Sequence, residues 1–288
     1  MKVWTSAAAA LLLTLALALA PAATAQDNLG PLAGGRMVGM GSSFAAGSGF
    51  GPLKPDTPMR CGRSIDNYAT LVAEELRMLL VDVACGGATS EHVLGPWNEL
   101  PPQIDAVTPD TALVTITVGG NDIGYVGYLI AESCKVRGPI ALGAAGTVCP
   151  VVPVPGDDAY FKLENNLRAI AAEVRKRAPR AKLVFVQYLA MVPSFECAEV
   201  PLSPEAAKNA RAISVRLAQV TERAAKGTGA VVIDMTQAAR KRLPCGGATA
   251  WVAGWPAGFK PGDTFPWHPT RVGHAAVAQE IVKAIGGK

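Results

Sequence analysis

The 288 residues carry 27 Lys and Arg against 23 Asp and Glu, a formal excess of only +4, and no basic run stands out, so composition gives no reason to invoke nucleic acid. Lys2, the apolar stretch Ala7–Ala20, Pro21 and the small triplet Ala23-Thr24-Ala25 follow the positive, apolar, small-residue order of a secretory leader, with cleavage expected before Gln26. The apolar run is short for a membrane anchor, and no later segment is long and apolar enough to span a bilayer. Lys2 is the one charge within residues 1–25, so its removal leaves +3. Residues 26–288 suffice for one sizeable domain, with no internal repeat and no low-complexity linker.

In chain order, Arg36–Met40 reads as a first strand. Asp66–Met78 places Tyr68, Leu71, Val72 and Leu76 at helical spacing. Leu80–Ala84 is a short apolar strand, and Ala112–Val118 a β-rich one that ends in glycines. The stretch from Tyr125 to Asp158 breaks the pattern. It is expected to be either a flap stapled through Cys134 and Cys149 or a surface loop. Tyr160–Arg177 is a charged amphipathic helix stopped by Pro179, Lys182–Gln187 a strand, Pro204–Lys226 a long helix, Ala230–Ile233 a strand, and Thr270–Ile285 a last helix. Such alternation predicts an α/β fold: a single-domain three-layer α/β/α sandwich with a mainly parallel central sheet. The functional site is then expected beyond the carboxyl ends of the strands.

Three glycine-rich turns follow predicted strands: Gly41-Ser42-Ser43, Gly86-Gly87 and Gly119-Gly120-Asn121-Asp122. A serine on a tight turn exposes its oxygen, but the hydroxyl needs a base to take its proton. Of three histidines, His268 stands just before the last predicted helix, between Trp267 and Pro269; His92 and His274 read as surface or helix-packing residues. Gly87 permits close backbone approach and Asn121 offers a neutral amide donor, so the N–H groups of Ser43 and Gly87 and the Asn121 side chain are candidate oxyanion donors. Asp122 reads as a loop-tying carboxylate. The absence of Gly-x-Ser-x-Gly argues against an α/β-hydrolase elbow. Gly39-x-Gly41 does not make a dinucleotide turn, because Phe44 stands where the third small residue belongs. Six cysteines (Cys61, Cys85, Cys134, Cys149, Cys197 and Cys245) suit an oxidising compartment and favour three disulfides, although 15 connectivities exist and one pair could stay reduced. No Cys-x-x-Cys spacing or Cys/His cluster suggests zinc, and neither a metal nor a cofactor is expected.

These motifs, in this order, resemble the SGNH (GDSL-type) hydrolases, in particular a secreted actinobacterial lipase/esterase branch with three disulfides. The family's Gly-Asp-Ser is similar to Gly41-Ser42-Ser43, its Cys-Ser-Gly-Ala-Thr to Cys85-Gly86-Gly87-Ala88-Thr89, and its Gly-Gly-Asn-Asp is matched without change by Gly119–Asp122. Its final His-Pro is matched by His268-Pro269, and the resemblance runs from about Arg36 to the C-terminus. It implies Ser43 as nucleophile, His268 as general base, and Ser43, Gly87 and Asn121 as the oxyanion hole. It also implies the sequential pairs Cys61–Cys85, Cys134–Cys149 and Cys197–Cys245. Ser42 replaces the family's usual aspartate, and Phe265 stands where an acidic residue commonly precedes the histidine. The resemblance then implies that the Phe265 main-chain carbonyl orients His268, with Asp263 as the alternative. The expected activity is a secreted serine carboxylic-ester hydrolase, a lipase or esterase acting as a monomer on a small-molecule or lipid ester. Apolar residues Val148–Val154 with Trp251 and Trp255 are expected to favour an acyl chain. Phospholipase, carbohydrate-acetyl esterase and an inactive secreted binding module are the alternatives.

Overall fold

The computed structural model describes Met1 and residues 32–139, 148–256 and 264–286. Apart from Met1, the expected leader lies outside these residues, as does Asp263. Five strands, β1 (Arg36–Gly41), β2 (Leu79–Asp82), β3 (Thr111–Thr117), β4 (Lys182–Val186) and β5 (Val231–Ile233), form one sheet of order β2-β1-β3-β4-β5. Every pairing is parallel. Central strands of such a sheet are covered on both faces, so β1 and β3 are buried at successive positions, with only the short side chains of Thr111, Thr115 and Thr117 breaking the apolar run of β3. Met37, Val38 and Met40 of β1 and Leu113, Val114 and Ile116 of β3 are accordingly buried.

The helices are α1 (Ser43–Ala46), α2 (Tyr68–Glu75), α3 (Ser90–Leu94), α4 (Tyr125–Arg137), α5 (Asp157–Arg177), α6 (Pro204–Ala225), α7 (Met235–Ala238) and α8 (Arg271–Ile285). On one side α2 packs against α8; on the other, α5 packs against α3 and α6. The longest helices carry their instructions locally. In α5, Tyr160, Leu163, Leu167, Ile170 and Val174 bury one stripe, while Asp157 and Asp158 in the first turn and Arg175–Arg177 in the last complement the helix dipole. In α6 the Ser203 side chain accepts the Ala206 N–H and Pro204 opens the helix; in α8 Thr270 accepts the Gly273 N–H.

The stretch expected to be irregular from Tyr125 departs from that reading. Its first part is the 13-residue helix α4, entered from Gly124 in a left-handed conformation. Seven of its residues are buried, and burial on most sides blurs the one-sided period that marks a surface helix. The chain after Cys149 returns along it, with Val152 against Gly124 and Gly127.

The three disulfides are Cys61–Cys85, Cys134–Cys149 and Cys197–Cys245. The first ties the turn at Met59–Cys61 to the loop that carries Gly87. It closes a loop of 24 residues, so replacing both cysteines with serine is expected to cost about 3 kcal/mol. Urea denaturation checks this; a stability unchanged within error contradicts it.

Candidate active site

The site is built at the carboxyl ends of β1 and β3. Gly41 ends β1 at φ 127°, where a Cβ would stand 2.2 Å from the Thr117 carbonyl oxygen of β3, so only glycine lets the two strands close here. Ser42 caps α1 and Ser43 is its first residue, a position whose N–H has no acceptor inside the helix. A clamp absent from the sequence reading holds this turn. The buried Gln103 side chain accepts the Gly41 N–H at 2.7 Å and donates to the Gly41 carbonyl at 3.0 Å.

His268 reaches Ser43 from the far end of the chain. Its Nε2 lies 2.8 Å from Ser43 Oγ and its Nδ1 2.9 Å from the Pro266 carbonyl oxygen. A carbonyl only accepts, so Nδ1 carries the proton and Nε2 presents its lone pair to the serine hydroxyl. The oxygen that orients the imidazole is therefore that of Pro266, not of Phe265. The Phe265 carbonyl is occupied by the His268 backbone N–H at 3.1 Å, closing a turn with Pro266 second and Trp267 third. Trp267 takes φ 62°, the left-handed value that the third position of a type II turn requires and that bulky residues avoid. Full burial of the indole and backbone bonds from Trp267 N to Ala253 O and from Ala253 N to His268 O hold it there. Asp263, the alternative, lies outside the described residues.

Burial lowers the His268 imidazole from 6.5 to about 4, partly offset by the bond to Pro266. The aromatic rings of Phe44 and Phe265 flank it, 5.1 and 5.9 Å away between centroids. A base works only when neutral, so kcat/KM is expected to hold from neutral pH down to about pH 5 and to fall through about pH 4, well below the ordinary histidine value. The stability consequence has the opposite reach. The unfolded imidazole takes its proton near 6.5, so this group's contribution is full above that pH and drains as pH falls from 6.5 to about 4. His274, fully buried and lowered to about 3 by burial and then by His268, adds to the same loss. Melting temperatures and initial rates between pH 7 and 4 test both statements; an acid limb near 6.5 contradicts the first.

Asn121 and Gly87 lie in the same cleft as Ser43 and His268. Asn121 Nδ2 donates to the Ala88 carbonyl at 2.8 Å, which orients the amide and leaves its second N–H available. Gly87 has φ 83°, with the edge of Trp97 at 3.1 Å from where a Cβ would be. Trp97 is held between the Arg60 guanidinium, 4.2 Å from the ring centroid, and the stacked His92 ring at 4.3 Å. His92 also caps α3, its Nδ1 accepting the Thr89 N–H at 3.1 Å. Asp122 accepts from the backbone N–H and the hydroxyl of Ser90, so it ties the Asn121 loop to α3. Its burial raises its pKa, with those Ser90 bonds opposing the rise.

The cleft measures about 730 Å³ and, beyond the polar centre, is walled by Phe50, Leu53, Met59, Val126, Ile130 and Phe265. The residues expected to favour an acyl chain are not among these. Trp255 is buried in the core and Trp251 packs against it, while Val152 supports α4 from behind. Cys197, Glu199 and Cys245 approach one another, but the sulfurs are joined in a disulfide and offer no thiolate to a metal.

A parallel α/β/α sandwich with a serine hydroxyl on an imidazole, beside amide donors in an apolar cleft, defines a hydrolase of the serine type. Residues 40–276 match the model of the GDSL-like lipase/acylhydrolase family. Lipase 2 of Streptomyces coelicolor is 30% identical over 86% of this chain and 85% of that protein. An esterase of Streptomyces scabiei is 28% identical over the same shares. The crystal structure of phospholipase A1 from Streptomyces albidoflavus NA297 has a TM-score of 0.68 over 88% of this chain and 99% of that one, at 22% identity, which bears on the fold alone. The chain belongs to the GDSL-like lipase/acylhydrolase family and is a carboxylic-ester hydrolase.

Proposed function

We propose that the protein is a secreted, monomeric lipase or esterase that works through an acyl-Ser43 intermediate. The observation that carries this is the 2.8 Å contact between Ser43 Oγ and His268 Nε2 at the floor of an apolar cleft. As Ser43 Oγ attacks the ester carbonyl, His268 Nε2 takes its proton, and the oxyanion is met by the N–H groups of Ser43 and Gly87 and by Asn121 Nδ2. The Nδ1–H to Pro266 bond keeps the ring in place while it carries positive charge. Nε2 then protonates the leaving alcohol, and the acyl group stays on Ser43. Water, deprotonated by the same imidazole, attacks the acyl-enzyme; the acid leaves and Ser43 recovers its proton. No helix among the described residues is long and apolar enough to cross a membrane, and the three disulfides suit an oxidising compartment.

The apolar walls favour an ester with an acyl chain over a charged or sugar-borne acetyl group, since beyond Ser43, Asn121 and His268 only Ser48 and Arg60 bring a polar side chain to the cleft. Two measurements test the reading. A fluorophosphonate should label Ser43, and a screen of p-nitrophenyl esters, phospholipids and acetylated sugars should show the highest kcat/KM on medium-chain acyl esters. An unlabelled protein supports the inactive binding module, and preference for phospholipid or acetylated sugar supports those alternatives. Asp263→Asn should keep most of the activity, because a backbone carbonyl already accepts the Nδ1 proton; a loss of about ten-thousandfold would place Asp263 in a triad.

A further inference from the structure

Tyr188, two residues beyond β4, is buried and its ring lies 4.4 Å from that of Phe44, the neighbour of Ser43. Its hydroxyl accepts the backbone N–H of Gly120 at 2.9 Å and lies 3.1 Å from Ser42 Oγ. Ser42 Oγ in turn donates to the Thr117 carbonyl at 3.4 Å. The direction of this chain follows from its ends. An amide N–H only donates and a carbonyl only accepts, so the phenol proton is directed to Ser42 and the Ser42 proton to Thr117.

The residues joined are the ones beside the chemistry. Gly120 precedes Asn121 and Ser42 precedes Ser43, and the chain runs across the ends of β4, β3 and β1, which are neighbours in the sheet. Gly120 faces the phenol so closely that a Cβ there would come 2.7 Å from the ring and its oxygen. Burial pushes the phenol up to about 12, so it stays neutral and serves as both donor and acceptor at working pH.

We propose that Tyr188 is a positioning residue whose hydroxyl fixes the loop of the nucleophile against the loop of the Asn121 oxyanion donor. The inference rests on the ester-hydrolase reading above and adds a residue that neither the motifs nor the resemblance singled out. A misplacement of about 1 Å at reacting groups costs on the order of a hundredfold in rate, which sets the scale of the effect.

Tyr188→Phe keeps the ring on Phe44 and removes only the hydroxyl. With a soluble p-nitrophenyl ester, kcat should fall about ten- to hundredfold with KM within about twofold of the parent. Phosphonylation of Ser43 by the fluorophosphonate should slow by the same factor, with an unchanged circular dichroism spectrum. In an Asn121→Ala background the same substitution should cost only about twofold more, because residues acting through one group are not additive. Ser42→Ala breaks the chain at its other end and should lower kcat about three- to tenfold, again at constant KM; it decides the matter if Tyr188→Phe does not fold. Parent-like kcat in the folded Tyr188→Phe, or a full additional loss in the Asn121→Ala background, overturns the proposal while leaving the hydrolase reading intact. A parent protein that neither hydrolyses esters nor takes the label overturns that reading, and this proposal falls with it.

Discussion

Replacing Ser43 with alanine is expected to lower kcat on the order of a millionfold, and replacing His268 with alanine by about as much, the scale seen when either partner is taken from a serine-protease triad. The reason is the single contact between Ser43 Oγ and Nε2. Without the imidazole the hydroxyl keeps its proton; without the hydroxyl the imidazole has nothing to activate. The two losses should therefore not add, and the double variant should sit within a few fold of either single one. Residual turnover should remain above that of buffer, supplied by the oxyanion donors. Active-site titration with a fluorophosphonate and steady-state rates check all three proteins. A Ser43→Ala variant with more than a few per cent of parental activity, or an adduct on Ser42, would assign the nucleophile elsewhere.

Asn121→Ala is the second large effect, a loss of about a hundred- to a thousandfold in kcat with little change in KM. The amide is already aimed by its bond to the Ala88 carbonyl, so in the proposed mechanism its second N–H needs no reorganisation to meet the oxyanion. The donor matters when charge develops on the carbonyl oxygen, which is why kcat and not KM should carry the loss. Asn121→Asp should be worse than alanine at neutral pH, because a carboxylate repels the oxyanion it faces. A raised KM at unchanged kcat would instead mean that Asn121 binds the ground-state ester.

Much of the fold was legible because its causes are local. The runs at Met37–Met40 and Leu113–Ile116 are almost wholly apolar and buried at successive positions, Thr115 being the one polar side chain, as suits strands covered on both faces. The helices α5, α6 and α8 announce themselves by one buried stripe and by Ser203, Pro204 and Thr270 at their starts. The glycine-rich turns likewise placed Ser43, Gly87 and Asn121 at strand ends, and His268 before the last helix. Helix α4 escaped because its period is masked by burial on most sides. The leader and Asp263 lie outside the described residues.

By itself, then, the amino-acid sequence determined the layered α/β architecture, the candidate nucleophile, base and oxyanion residues, and the family, since periodicity, turn chemistry and short motifs are properties of contiguous residues. The tertiary structure alone decided which carbonyl holds His268, which walls line the cleft, and which distant side chains brace the turn. The direction of the Pro266 carbonyl depends on Trp267 being held left-handed by the 251–253 segment, and Gln103 and Tyr188 reach the turn only because β1, β3 and β4 lie side by side. The Gln103 and Tyr188 contacts join residues 62 to 146 positions apart, and no local pattern records them.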